Sequence, residues 1–397
     1  MTTAHTRIAA AGTAAVAGVG ETSHTRGADP AATDLSLAVH AAVAAVRDAG
    51  LTPADVNGLI APYMGPGAEE LITHLGLRDI RFASQVRLGG ASPVAAIGHA
   101  AGAIAAGLAE VVLIPVGWAA YSGRRARSLA KADASTPYRR AVRDLYSPYG
   151  VFAPPQVYAQ LAARHMHEFG TPAAALGTIA VNTRDNAVRN PTALMRTPIT
   201  MDEYLASRWI VEPYRLFDCC LETDSGAAIV VTSAERARSR DDRPLAVVEG
   251  FAEARPSEPE DMFNRADFFE TGLTAAAPRA WEMAGLGPAD MDFAQIYDCF
   301  TFEVLQQLEE AGFCGRGEGG AFMLSGATGP GGRLPLNTHG GMLSQGHALG
   351  LAHVVEAVRQ LRGEAAGRQV GSCRFGVVTG WGDLGDGSIA ILGRKDP

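Results

Sequence analysis

Two residues late in the chain carry side chains suited to moving protons beside a carbonyl. Tyr297 follows the apolar run Phe293–Ile296, which reads as a strand, so it falls in the loop beyond a strand end, where functional residues concentrate. Its phenol ionises near 10, so it acts as a base only with help from neighbours, although it can also return a proton to a carbanion. His347 lies in the Gly-rich run Asn337 to Gly350, at the expected start of a helix, where a neutral imidazole can donate to an oxyanion. Asn337 and His339 share that run and read equally well as turn formers. Asp298 either orients a partner or caps a helix starting near Thr301, and Cys299 packs behind the loop.

Other chemistries find less support. A Schiff base needs a buried lysine, but the only lysines are Lys131, in a charged stretch, and Lys395, in the tail. A metal centre needs clustered ligands. The one close pair, His165 and His167, points to different faces of a helix, so no metal is expected. The five cysteines, Cys219, Cys220, Cys299, Cys314 and Cys373, lack CxxC spacing, and none lies in the first 218 residues. Cys373, at the start of a strand, reads as a buried small hydrophobe. This usage fits a reducing cytoplasm. A net charge of −8 gives no basic field for nucleic acid or a membrane surface. The apolar stretch Ile8 to Gly20 reads as a first buried strand, and Pro93 to Ala120 as a helix followed by a strand rather than a membrane span.

The elements that must position these residues occur twice. Val16-Ala-Gly-Val-Gly-Glu21 matches Val248-Glu-Gly-Phe-Ala-Glu253, and Ala49-Gly-Leu-Thr-Pro-Ala-Asp55 matches Ala284-Gly-Leu-Gly-Pro-Ala-Asp290. Each copy of the second motif ends an amphipathic helix (about Leu35–Asp48 and Leu273–Met283) and precedes a strand, with Gly50 and Gly285 placed as C-terminal glycines. A third pair closes each half: a small-residue helix, then a strand, then Gly117-Trp118 or Gly380-Trp381. Two similar α/β halves are expected, 1–240 and 241–397. The segment of about 121–240 reads as an insertion without counterpart that caps the site.

The run from Asn337 through Gly340, Gly341, Gly346 and His347 to Gly350 resembles the thiolase signature Asn-x-x-Gly-Gly-x-x-x-x-Gly-His-Pro-x-Gly, with Ala348 in place of Pro. Val16–Glu21, Ala49–Asp55 and Asp224–Val231 are similar to other thiolase stretches, so the resemblance spans nearly the whole chain. Tyr297-Asp-Cys-Phe-Thr is similar to the His-Asp-Cys-Phe-Thr motif of the sterol-carrier-protein-X-like, "lipid-transfer protein" branch, whose Tyr-bearing members resemble steroid side-chain aldolases. The resemblance implies two βαβαβαββ-like halves in a five-layer αβαβα fold, and a homodimer. A thiolase carries its cysteine in the turn that here reads Val86-Arg-Leu-Gly-Gly-Ala-Ser-Pro93. Gly89 or Gly90 takes that spot, and Ser92 reads as a helix N-cap.

The implied reaction is retro-aldol cleavage of a β-hydroxyacyl-CoA thioester with a steroid or other bulky acyl group, with Tyr297 and His347 as catalytic residues. In this branch a Tyr often stands at the second position, so His347 is a departure. Asn337, His339, Gly341, Gly89 and Gly90 would contact substrate. CoA enters as part of the substrate, with no bound cofactor, and Arg124, Arg125 and Arg87 are candidates for its phosphates. A small OB-fold, zinc-ribbon protein is the implied partner. A cysteine-free acyltransferase or Claisen-type catalyst, or a non-catalytic acyl-CoA-binding subunit, is the alternative.

Overall fold

The computed structural model describes residues 11–29, 31–123, 137–239 and 242–397. The first half runs β1 (Ala14–Glu21), α1 (Asp34–Asp48), β2 (Gly58–Ala61), α2 (Ala68–Leu75), β3 (Phe82–Gln85), α3 (Ser92–Ala105) and β4 (Val111–Ala119). An insertion holding α4 (Pro154–Phe169) and α5 (Ala173–Val188) follows, and β5 (Asp224–Ser233) completes the half. The second half runs β6 (Leu245–Ala254), α6 (Gly272–Ala284), β7 (Phe293–Gln295), α7 (Thr301–Glu310), α8 (Leu351–Arg362), β8 (Phe375–Gly382) and β9 (Asp386–Lys395).

The duplication seen in the sequence is a duplication of structure. Strand order is β3-β2-β4-β5-β1-β6-β9-β8-β7, so the halves run outward in the same order from a short antiparallel contact between β1 and β6 (Ala15 opposite Val247, Val16 opposite Ala246). The repeated glycines have a steric reason. A Cβ on Gly18 or Gly20 would fall 2.2 Å from the carbonyl oxygens of Ala45 and Ala41 of α1, and one on Gly250 would fall 2.4 Å from the Ala280 carbonyl of α6. Only a strand without side chains at these points lets its helix lie so close.

Central helices α3 and α8 each touch strands of both halves, β4, β5, β6, β8 and β9 for α3, and β1, β5, β6, β7, β8 and β9 for α8. The two half-sheets therefore face each other across this helix pair. With α1 outside the first and α6 outside the second, the molecule has five layers, the arrangement expected of a thiolase fold. The middle layer is a dry core of Val94, Ile97, Leu351, Val355 and Val358 with apolar residues of both half-sheets.

Two boundaries differ from expectation. β5 pairs with β4 and β1 and is the first-half counterpart of β9, so the insertion ends before Asp224 rather than near 240. The second central helix begins at Leu351, after Gly350 in the left-handed region at φ 87°, so His347 lies in the loop before the helix and not at its start. The insertion packs over this loop. Met195 and Leu194 N–H groups donate to the Ser344 and Gln345 carbonyls at 2.9 and 3.1 Å, and Asn190 Nδ2 donates to the His339 carbonyl at 2.7 Å.

Candidate active site

The turn entering α3 sets the site floor. Gly89, at φ +52°, and Gly90 form a tight turn, and Ser92 Oγ accepts the Leu88 N–H at 2.9 Å. Ser92 thus ties the turn back on itself instead of capping the helix, whose N-cap is Ala91. The space above both glycines is taken. A Cβ on Gly90 would fall 2.2 Å from the Tyr297 hydroxyl, and a Cβ on Gly89 would fall 2.6 Å from Asp383 Oδ1.

Tyr297 and His347 come together here, their rings 6.4 Å apart and nearly perpendicular. Burial pushes the Tyr297 phenol well above its usual value, with Cys299, Tyr63, Cys220 and Asp298 adding to the effect. A phenol so placed is protonated at neutral pH. Burial holds the His347 imidazole down at about 4, helped by His353. The Leu349 N–H donates to His347 Nδ1 at 3.3 Å, which assigns the neutral ring's proton to Nε2. Ser225 Oγ donates to the His347 carbonyl at 2.8 Å, and Thr223 Oγ1 accepts its N–H at 2.8 Å, so the base of β5 fixes the loop.

Behind this pair lies a buried polar layer. Asn337 was expected to contact substrate. Instead its amide is committed to the end of β7, accepting the Ile296 N–H at 2.7 Å and donating to the Ile296 carbonyl at 2.9 Å, one residue before Tyr297. Gly341 is likewise structural: at φ +57°, a Cβ would fall 1.9 Å from Asp298 Oδ2. The fully buried Asp298 carboxylate accepts the Met342 N–H at 2.8 Å, the Leu343 N–H at 3.2 Å and His353 Nε2 at 2.9 Å, so it orients partners and does not cap α7. His339, 1% exposed, packs edge-on against His353 at 4.7 Å, and its ring nitrogens lack hydrogen-bond partners among the described residues.

His24 and Glu21, at the end of β1, close the far side. Gly346 leaves room for the His24 ring, 2.3 Å from where a Cβ would stand. Against burial, the bond from His24 and the Arg359 ion pair hold Glu21 down at about 2, and Gln345 Nε2 donates to it at 3.0 Å. Beside the turn, a small apolar cleft with room for about one water is lined by Tyr63, Val86, Ser92, Pro93, Val116 and Leu349. Of the expected phosphate ligands, Arg124 and Arg125 lie outside the described residues. Arg87 is exposed beside the turn, and its carbonyl accepts a bond from Arg255 at 2.5 Å.

The chain is 38% identical over 382 residues to 17-hydroxy-3-oxo-4-pregnene-20-carboxyl-CoA lyase of Mycobacterium tuberculosis, covering 94% of this chain and 97% of that protein. It is 38% identical to the steroid side-chain-cleaving aldolase of Thermomonospora curvata, covering 89% of this chain and 91% of that one. The family model described as thiolase C-terminal domain-like matches residues 254–394. A solved structure named Ltp2-ChsH2(DUF35) aldolase superposes with a TM-score of 0.90 at 36% identity, over 97% of this chain and 99% of that one. The chain belongs to the thiolase superfamily, in its steroid side-chain aldolase branch. It is a carbon–carbon lyase of that family.

As a thiolase-like aldolase it has rebuilt the nucleophile turn: no thiol fits above Gly90 while the Tyr297 phenol is there. Cys373, 2% exposed, donates its S–H to the Gln360 carbonyl at 3.1 Å and serves packing. Sequence reading missed His24, His353 and Asp383. Their only local signals were a histidine just past a strand end, a histidine on the buried face of α8, and an aspartate in a tight hairpin.

Proposed function

We propose that this aldolase cleaves the Cα–Cβ bond of a β-hydroxyacyl-CoA thioester with a steroid or similarly bulky acyl group, releasing a ketone or aldehyde and a shorter acyl-CoA. The observation that carries this is the Tyr297 hydroxyl in the space a nucleophile on Gly90 would need. An acid–base group there suits proton transfer and leaves no room for an acyl-enzyme. In the reaction, the β-hydroxyl loses its proton and the bond to the α-carbon breaks. The electron pair enters the thioester as an enolate, and the α-carbon is then protonated. The His347 Nε2–H is the donor for the enolate oxygen, preorganised in a dry site. Tyr297 handles protons at the reacting carbons.

The relatives' names suggest the substrate class. The CoA part would lie toward Arg87 and the segment with Arg124 and Arg125, with no resident cofactor. We read the working protein as a cytoplasmic homodimer that binds a small OB-fold, zinc-ribbon protein; the similar structure's name, with ChsH2(DUF35), supports the partner. Among the described residues no helix is long and apolar enough to cross a membrane. Tyr297→Phe tests the reading, because it removes only the hydroxyl. Cleavage should fall by about 10²–10⁴-fold with the fold intact. Near-wild-type turnover would make the tyrosine structural and defeat the reading.

A further inference from the structure

The other glycine of the turn, Gly89, points to a second acid–base residue. Asp383 stands in the hairpin between β8 and β9, and its Oδ1 lies 2.6 Å from where a Cβ on Gly89 would be. Whichever of Gly89 and Gly90 corresponds to the nucleophile position, its side-chain space is already held by a proton-transfer group: Asp383 for one, Tyr297 for the other. Consecutive Cα atoms are about 3.8 Å apart, so the two groups stand over neighbouring residues of one turn.

The hairpin alone does not account for this carboxylate. Asp383 has φ 45°, which Asn or Gly would also accept, and its backbone carbonyl takes the Tyr158 hydroxyl at 2.5 Å. Yet among the described residues its side chain makes no hydrogen bond to the turn. The groups that face it are Arg255, just past β6, Arg139 of the insertion, and Asp386 of β9, which pairs with Arg255 at 2.8 Å; Arg265 lies under Gly385 in the same hairpin. Burial raises the Asp383 carboxyl to about 6 despite Arg255 and Arg139, which leaves it ionised at neutral pH and still basic enough to accept a proton.

We propose that Asp383 is the general base of the cleavage, with Tyr297 as the acid; this rests on the retro-aldol reading above. The Asp383 carboxylate takes the β-hydroxyl proton. The O–H pair becomes the new carbonyl bond, and the Cα–Cβ pair passes into the thioester enolate held by His347. Tyr297 gives its proton to the α-carbon, and the Asp383 carboxylic acid returns one to the phenolate. One proton moves from oxygen to carbon, and both residues end as they began.

The test is the pH profile of kcat for wild type, Asp383→Asn and Asp383→Glu on a β-hydroxyacyl-CoA ester, with Asp383→Gly as a second backbone-compatible variant. Wild-type kcat should rise with pH through a limb near 6. The Asn and Gly variants should lose that limb and about 10²–10⁴-fold in kcat, with KM little changed. The Glu variant should recover the limb and part of the rate. Wild-type kcat and an unchanged limb in Asp383→Asn would overturn this assignment alone. A wild-type chain that cleaves no such ester, with or without its OB-fold partner, would overturn the functional reading and this with it.

Discussion

Proton chemistry at this site depends on what burial does to single residues. The Tyr297 phenol is driven up and the His347 imidazole down, so both are neutral donors across the physiological range. His347→Ala should lose the enolate donor and about 10²–10³-fold in kcat, the scale seen for single oxyanion donors. His347→Gln, which keeps an N–H, should retain more. Stability follows with a definite sign. The unfolded histidine ionises near 6.5, whereas the folded one ionises at about 4. Between those values the unfolded chain binds more protons, so stability is whole above about 6.5 and is lost as pH falls toward 4. Thermal unfolding between pH 7.5 and 4.5 should show a shallower fall in Tm for His347→Gln than for wild type; identical slopes would contradict the buried neutral ring. Tyr297 and His347 were legible in the sequence because each sits in a motif at a strand end or glycine loop. Asp298 and His353 were not legible as a pair, since only the pairing of the β7 loop with α8 makes them neighbours.

At the scale of elements, the turn into α3 decides what chemistry is open to the molecule. Restoring a thiol at Gly90 should not restore a thiolase: Gly90→Cys would put its Cβ 2.2 Å from the Tyr297 hydroxyl and 2.5 Å from the Trp381 carbonyl. The expected outcome is lost cleavage and a stability cost of about 1–3 kcal/mol from overpacking, read by calorimetry and the cleavage assay. A well-folded Gly90→Cys protein with wild-type cleavage would mean the phenol does not occupy that space in solution. The repeated strands and helices could be read from glycine spacing because Gly18, Gly20 and Gly250 are forced by helix contact. The end of the insertion could not, because the partners that make β5 part of the sheet, β4 and β1, lie far away in sequence. The clamp of the insertion on the Ser344 and Gln345 carbonyls is made by backbone groups, which carry no sequence signal.

For the whole molecule, the sequence fits one body built from two halves, with the site where the β7 loop, the loop before α8 and the α3 turn converge. An aldolase for bulky acyl groups must also hold CoA; of the arginines expected to do so, Arg87 lies beside the turn, and Arg124 and Arg125 lie outside the described residues. The name of the similar structure, Ltp2-ChsH2(DUF35) aldolase, motivates the partner. Light scattering after co-expression with an OB-fold, zinc-ribbon protein should give a complex built on a homodimer of this chain, with activity rising on assembly; full activity from the lone chain would refute the need for it. Carbon–carbon cleavage and the lack of an acyl-enzyme can be read in one experiment. The protein, alone and with an OB-fold, zinc-ribbon protein, is incubated with 17-hydroxy-3-oxo-4-pregnene-20-carboxyl-CoA, the ester in the similar lyase's name. Mass spectrometry then follows the small molecules and the intact chain together. Equal amounts of a 17-keto steroid and propanoyl-CoA should form, with the protein mass unchanged throughout; a stoichiometric acyl adduct on the chain, or no ketone from this ester or a smaller β-hydroxyacyl-CoA, would rule out direct retro-aldol cleavage.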